Sequence, residues 1–308
     1  MMRYFSICDG IGAAHVALLP LGFNCLGISE VDPNCNKLIN SKYHFKNYDD
    51  FRAHKTWGHI EADLIIGGTP CQSFSTLGQR QGSKSPTGKL TLDYVDFICS
   101  NCPRYFLWEN VASALSIDGG RLFQWMLNRF SQRGYGVAWR VLNSRFFGVP
   151  QNRRRVFLTG SFGNPTSAGE ILFETKTMSI SDTSIHKSNQ EDSRAATINH
   201  WEDGRQSRMD KHSTRYRQNN SFLGTLTTQI DAGIEQITRL VIDDNRPRYL
   251  TPLECERLQG FPDNYTAGFS DTARYKMVGN SMPVPVIRWI GARILEVEQE
   301  QNVQSKAG

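Results

Sequence analysis

The segment GGTPCQSFSTLGQR, Gly67 to Arg80, carries Cys71 out of a hydrophobic run, Ala62-Asp63-Leu64-Ile65-Ile66, through two glycines and a proline into Ser, Thr, Gln, Gly and Arg. A thiol at a strand tip beside such a polar segment suits nucleophilic chemistry. The competing reading is the small buried hydrophobe that lone cysteines commonly are. A metal-ligand role would need companions at matching spacing, and Cys71 has none. In FLWENV, Glu109 follows Phe-Leu-Trp, where partial desolvation raises a carboxyl pKa and lets it hold or deliver a proton near neutral pH. Asn110 beside it also reads as a helix N-cap. In QNRRRVF, residues 151–157, strand alternation puts Arg153 and Arg155 on one face and Arg154 on the other. Two guanidiniums on one face suit an anion or a carbonyl oxygen, and a solvated basic strand end is the alternative. DGIGAA, Asp9 to Ala14, is a glycine turn, with Glu30 twenty residues beyond Gly10 at the spacing of a ribose-binding carboxylate. The third glycine of a dinucleotide fingerprint is missing, which suits a nucleoside ligand without pyrophosphate.

Positioning these groups requires strands that end at a common edge. RYFSICDG, NCLGISEVD, ADLIIGGTP, RYFLWENV, GYGVAWRVLNS and RRVFLTGSF read as strands. AAHVALLPLGF reads as a helix cut by Pro20, and YVDFICSNC as the end of another. Strands apolar on both faces and joined by helices predict an α/β fold with a doubly wound, mostly parallel sheet. In such sheets ligands bind beyond the strand C-termini, where Asp9, Glu30, Pro70-Cys71 and Glu109-Asn110 would fall. The pattern breaks after about Gly160. Residues 176–192 offer few apolar anchors, and 204–220 set Arg205, Arg208, Lys211, Arg215 and Arg217 against the single acid Asp210. This reads as an inserted, loop-rich module. Regular patterning resumes at RYLTPLECERLQGF, where Thr251, Pro252 and Glu254 form a capped helix start.

With 308 residues and 39% hydrophobic content, the chain suits one large domain or a domain with a smaller insertion, and neither disorder nor a fibrous repeat. A formal net charge of +5 permits nucleic acid as a partner without selecting it. Seven cysteines without dense spacing point to a reducing cytoplasm rather than a secreted disulfide scaffold. The pair in CSNC, Cys99 and Cys102, lacks the further ligands that zinc would want and reads as structural. No apolar run approaches the ~20 residues of a membrane span.

In the order DGIG, SEVD, TPCQ, WENV, QNRRR, a variable region and YKMVGNSMPVPV, the chain resembles the C5-cytosine DNA methyltransferases over nearly its whole length. The resemblance implies a Rossmann-like methyltransferase fold using S-adenosylmethionine and no metal. It implies a catalytic part over 1–160 plus 248–308, and a target-recognition domain over 161–247. Carbon 5 of cytosine is a poor nucleophile, so in this family a thiolate first adds to carbon 6. Cys71 would be that nucleophile and Glu109 the partner of N3, with Arg153 and Arg155 holding the base carbonyl and the catalytic loop. Asn110 would orient the loop. Methyl transfer, loss of the C5 proton and β-elimination would then release 5-methylcytosine. The target base must flip out of double-stranded DNA.

By the same resemblance the cofactor residues would be Asp9, Gly10, Ile11, Gly12, Glu30 and Val31, then Asp50 and Phe51, Pro70 and Leu90, and finally Asn280 and Ser281. Two positions depart from the family: Cys8 and Val31 stand where aromatics are usual, and Phe51 could compensate. Residues 72–89 would form a closing loop whose Ser75, Arg80 and Lys84 meet phosphates. In the insert, GTLTTQIDAG offers Thr225 and Thr227 beside the flipped base, with Arg205, Gln206 and Arg208 as base or phosphate contacts. The protein would be a cytoplasmic monomer acting in restriction-modification, alone or for a phage, with any cognate endonuclease acting separately. The tRNA-directed branch of the family usually has a second proline before its cysteine, where this chain has Thr69. A DNA-binding repressor that merely kept the fold would have no chemical need of Cys71, Glu109, Arg153 and Arg155.

Overall fold

The computed structural model describes residues 1–69, 86–173, 240–243 and 246–307. Residues 1–142, 154–175 and 282–308 form one compact unit, and residues 143–153 and 176–281 a second.

The first unit is built on a six-stranded sheet. Its strands are β1 (Arg3–Ile7), β2 (Asn24–Ser29), β3 (Leu64–Gly67), β4 (Tyr105–Val111), β5 (Tyr135–Asn143) and β6 (Arg154–Phe162), in the order β2-β1-β3-β4-β6-β5. These are the six strands expected from the sequence. β1 pairs in parallel with β2 and β3, and β3 with β4, whereas β4 pairs antiparallel with β6. The strand order reverses between β1 and its neighbours, the switch point at which such sheets open a crevice for ligands.

The apolar runs pay for this arrangement by burial on both faces: Tyr4, Phe5, Ile7, Leu64, Ile65, Ile66, Phe106 and Trp108 are all buried. One face is covered by helix α3 (Pro86–Asn101), whose Tyr94, Phe97 and Ile98 join Phe5 and Phe51 in an aromatic-rich core. Helix α1 (Ala13–Leu18) stops at Leu18, and a 3-10 turn, Leu19–Leu21, carries Pro20, which cannot supply the next helical N–H. Helix α2 (Pro33–Lys42) starts where the Asp32 carboxylate accepts from the amides of Asn34 and Cys35. Helices α4 (Arg121–Gln132) and α5 (Pro165–Leu172) follow β4 and β6.

The second unit contains a two-stranded antiparallel ribbon, β7 (Leu240–Asp243) with β8 (Arg246–Tyr249). Helix α6 (Pro252–Gln259) has the capped start expected from the sequence, and the cap is a reciprocal capping box of Thr251 and Glu254. Helix α7 (Asp271–Asn280) is capped by Ser270. The C-terminal helix α8 (Val284–Ala307) belongs to the first unit, where it packs on α1 and α5. The compact units divide differently from the expected 161–247 insert. The first keeps β6 to Phe162 together with α5, because Ala168, Ile171 and Leu172 bury against it, and the second takes in 248–281. No helix among the described residues is long and apolar enough to cross a membrane.

Candidate functional site

The register places the chemistry at one edge. Ile7 aligns with Ser29 and with Gly67, and Gly67 with Trp108, so the residues just beyond them, Asp9, Glu30, Thr69, Glu109 and Asn110, gather at the C-terminal edge of the parallel strands.

At the β1 end, Gly10 and Gly12 adopt left-handed conformations with φ of 60° and 77°, which glycine reaches without the penalty a side chain incurs. A Cβ at Gly10 would meet nothing within 4 Å, so the turn faces open space. The Gly10 amide donates to Glu30 Oε2 at 2.6 Å, while the amides of Val31 and Asp32 donate to Glu30 Oε1, each at 2.8 Å. Burial pushes the Glu30 carboxyl up, and the three amide bonds oppose it. With a single bond on Oε2, Glu30 keeps acceptor capacity for a hydroxyl. Asn47, which sequence reasoning passed over, fixes the β2 tip by accepting from the Glu30 amide and donating to its carbonyl.

Asp9 is buried and its carboxylate is engaged within the fold. Ser6 Oγ donates to Oδ1 at 2.5 Å, and His15 Nε2 lies 2.9 Å from Oδ2. Cys8 is half-buried, and enclosure by the fold, followed by the charges of Glu30, Asp50 and Asp9, pushes its thiol up to about 12. Three acids therefore surround the end of β1. Asp50 is held below the usual carboxylate range first by the side chain of Arg52, whose Nε bonds Oδ1 at 2.9 Å. Phe51 is buried, packed edge-on against Phe97 and stacked on His54, so its ring belongs to the core beneath the site. Val31 is 61% exposed, Leu90 is partly buried against the core and Ile11 is buried.

At the β3 and β4 ends, Thr69 is the organising residue. Its hydroxyl lies 3.1 Å from Thr91 Oγ1 and accepts from Trp108 Nε1 at 3.1 Å, and its carbonyl accepts from Asn110 Nδ2 at 3.1 Å. Three side chains, from α3 and β4, thus converge on the residue that leads, two positions later, to Cys71. Asn110 Oδ1 also accepts from the Val111 amide. Glu109 is buried, and its Oε1 lies 3.3 Å from Nε of Arg155, itself mostly enclosed. The carboxylate passes directly over Gly68, where a Cβ would come within 3.0 Å of Glu109 Oε2. The glycine before Thr69 is thus what lets the acid reach this position.

Arg153 and Arg155 do not share a strand. β6 begins at Arg154, because the Arg153 amide donates to Gln151 O and its carbonyl accepts from Ser144 in a local turn. In the second unit, buried Arg153 donates from Nη2 to Ser281 O at 2.8 Å and to Gly279 O at 3.3 Å. Gln259 Nε2 donates to Val278 O and to the same Ser281 O. The GNS segment holding Asn280 and Ser281 is therefore fixed through its carbonyl oxygens, a role for Gln259 that carried no sequence signal. Pro70, Cys71, Ser75, Arg80, Lys84, Arg205, Gln206, Arg208, Thr225 and Thr227 lie outside the described residues.

A glycine turn and an acid at the tips of β1 and β2, in a sheet with one antiparallel strand beside β4, define the S-adenosylmethionine-dependent methyltransferase fold. Solved structures share it: a Dnmt2 methyltransferase from S. pombe superposes with a TM-score of 0.68 at 16% identity, covering 96% of this chain and 99% of that one. A putative DNA modification methyltransferase from an E. coli prophage gives 0.67 at 18%, covering 97% and 100%. The chain belongs to the C-5 cytosine-specific DNA methylase family, whose signature it matches over residues 2–296. It is 28% identical over 305 residues to the type II methyltransferase M.DsaV of Dactylococcopsis salina, covering 96% of this chain and 86% of that protein. It is 30% identical over 325 residues to M.HpaII of Haemophilus parainfluenzae, covering 95% and 89%.

Proposed function

We propose that this DNA (cytosine-5) methyltransferase modifies a specific sequence in double-stranded DNA, with Cys71 as nucleophile, Glu109 and Arg155 acting on the flipped cytosine, and S-adenosylmethionine as methyl donor. The observation that carries the reading is the enclosed Glu109–Arg155 pair, 3.3 Å apart over Gly68 and three residues upstream of Cys71. Carbon 6 of cytosine accepts a thiolate only if negative charge developing in the ring is drawn off. Glu109 at N3 would supply a proton or a hydrogen bond for that purpose, and Arg155 would steady the carboxylate and present its remaining donors to the base carbonyl. Addition of the Cys71 thiolate to carbon 6 makes carbon 5 enamine-like. Loss of the C5 proton and β-elimination later restore the thiolate and the aromatic ring.

The residues present fit the cofactor. The open turn at Gly10 and the acceptor capacity left on Glu30 Oε2 suit the hydroxyls of a nucleoside. When bound, S-adenosylmethionine supplies the methyl group that carbon 5 accepts. Glu30 would hold the ribose hydroxyls, Asp50 the adenine amino group, and the Asn280-Ser281 segment would complete the pocket. Arg153 serves through that segment, since its guanidinium is engaged by Gly279 and Ser281. The insert would read the target sequence. The protein would act as a cytoplasmic monomer, and any cognate endonuclease would work separately.

The test is covalent trapping. Duplex DNA bearing 5-fluorocytosine at the target should form a stable adduct in the presence of S-adenosylmethionine, because fluorine blocks loss of the C5 substituent. Cys71→Ser should form no adduct and transfer no tritiated methyl while still binding DNA. Methyl transfer by Cys71→Ser at the wild-type rate would remove Cys71 from the mechanism.

A further inference from the structure

The cofactor turn is an unusual piece of backbone to leave to itself. Cys8, Gly10 and Gly12 have φ of 51°, 60° and 77°, so three of the five residues 8–12 sit in the left-handed region. Two of them are glycines that leave a chain many alternatives, and the third pays a steric cost as a non-glycine. Yet the turn must aim the Gly10 amide at Glu30 Oε2, 2.6 Å away, because that bond sets where the ribose-binding acid stands. What pins it lies underneath. The Asp9 carboxylate is fastened upstream to Ser6 Oγ at 2.5 Å and downstream to His15 Nε2 at 2.9 Å, so one side chain ties β1 and α1 together across the turn. His15 is completely buried, and its other ring nitrogen lies 2.6 Å from the hydroxyl of Tyr4, back on β1. Its ring packs against Phe45 at 4.7 Å and Tyr43 at 5.2 Å, which removes its rotational freedom.

We propose that His15, acting through Asp9, is a positioning residue for the cofactor turn: the chain Tyr4–His15–Asp9–Ser6 holds the Gly10 amide and, through it, Glu30 in the geometry that binds the nucleoside. The inference rests on the cofactor reading above. Asp9 on this view touches no ligand; its carboxylate is spent on holding the two ends of the turn. Burial disfavours the charged ring of His15, but the Asp9 carboxylate outweighs it and raises the imidazole to about 9, which keeps the ring protonated and the clamp closed at neutral pH.

Equilibrium binding of S-adenosylhomocysteine, measured calorimetrically without DNA, separates positioning from mere stabilisation. His15→Leu should weaken that binding at least about tenfold and raise KM for S-adenosylmethionine to match, with kcat at saturating cofactor within about twofold, the mark of lost ground-state binding. His15→Leu also strands a buried carboxylate and should lower the melting temperature. The double variant Asp9→Ala/His15→Leu removes that stranded charge, and replacing a buried pair by apolar groups commonly restores stability. In the double variant the melting temperature should recover in part, the Tyr4 and Ser6 hydroxyls having lost their partners, while affinity for S-adenosylhomocysteine stays at least about tenfold weak. Affinity that recovers along with the melting temperature overturns the proposal, as does unchanged affinity in His15→Leu. Wild-type protein is the internal reference: failure of wild type to bind S-adenosylhomocysteine would overturn the cofactor reading itself, whereas the two outcomes above overturn only the clamp.

Discussion

Thr69→Val is the perturbation that best isolates how the fold would aim Cys71, the proposed nucleophile. Valine matches threonine in shape, so packing is kept and only the hydroxyl is lost. That hydroxyl accepts from Trp108 Nε1 at 3.1 Å and shares a bond with Thr91 Oγ1 at 3.1 Å, and both partners are buried. Leaving a buried donor without a partner costs about 1–3 kcal/mol, and here the indole N–H loses its acceptor outright. The protein should therefore lose about 2 kcal/mol of stability, visible as a lower urea midpoint with an unchanged slope.

The more telling effect is on rate. The Asn110 bond to the Thr69 carbonyl survives the substitution, but the three bonds made by the hydroxyl, to Thr91, Trp108 and Asn110 Nδ2, are lost. Loss of these bonds loosens the backbone that leads to Pro70 and Cys71, and a further ~1.4–2.7 kcal/mol should appear in the barrier, a roughly 10- to 100-fold fall in kcat. Single-turnover transfer of tritiated methyl to duplex DNA measures it, and the rate of adduct formation with 5-fluorocytosine DNA reports thiolate attack directly. Thr69→Ser, which keeps the hydroxyl, should stay within about threefold of wild type on both. A Thr69→Val enzyme that loses stability but traps 5-fluorocytosine at the wild-type rate would show that the Thr69 network merely packs the core.

Two other predictions bear on different parts of the chain. Because folding raises His15 from an ordinary 6.5 to about 9, the protonated pair contributes stability that is complete below about pH 6.5 and is lost as pH rises through 9; at about 1.4 kcal/mol per tenfold change this amounts to about 3 kcal/mol, with Tyr4, Asp9, Cys25 and Tyr43 as the titratable groups around the ring. Denaturation midpoints taken at pH 6.5 and 9.5 should differ accordingly in wild type, and an equal slope in His15→Leu would refute the assignment. Exchanging residues 176–247 for the insert of a relative, with β6 and α5 left in place, should redirect methylation to the relative's sequence; bisulfite sequencing that finds the original sites still modified would refute the recognition role.

How much of this was legible in the sequence follows from what each feature depends on. Strands buried on both faces, β1, β3 and β4 among them, declare themselves as apolar runs, whereas β5 exposes Trp139 and Arg140 and reads as a strand from its β-branched and aromatic residues. The Thr251 capping box was readable because its two bonds join residues three apart. The glycine turn and Glu30 could be placed because a parallel sheet brings consecutive strand tips to one edge. The anchors were not legible, since they depend on pairings across strands: Trp108 and Thr91 meet at Thr69 only through the β3–β4 register and the approach of α3. The same holds for Arg153. Arg154 is exposed between the enclosed Arg153 and Arg155, as alternation in QNRRR suggests, but Arg153 lies before the strand and alternation cannot say what each arginine meets. Arg155 meets Glu109 because β6 runs antiparallel to β4 and aligns Arg155 with Val111, two residues beyond the acid. Arg153 sits just before the strand begins, so its guanidinium answers the carbonyls of Gly279 and Ser281, 126 and 128 residues away. Two arginines that the motif presents as equals therefore meet different partners: Arg155 stands beside Glu109, and Arg153 is bonded to the Gly279 and Ser281 carbonyls.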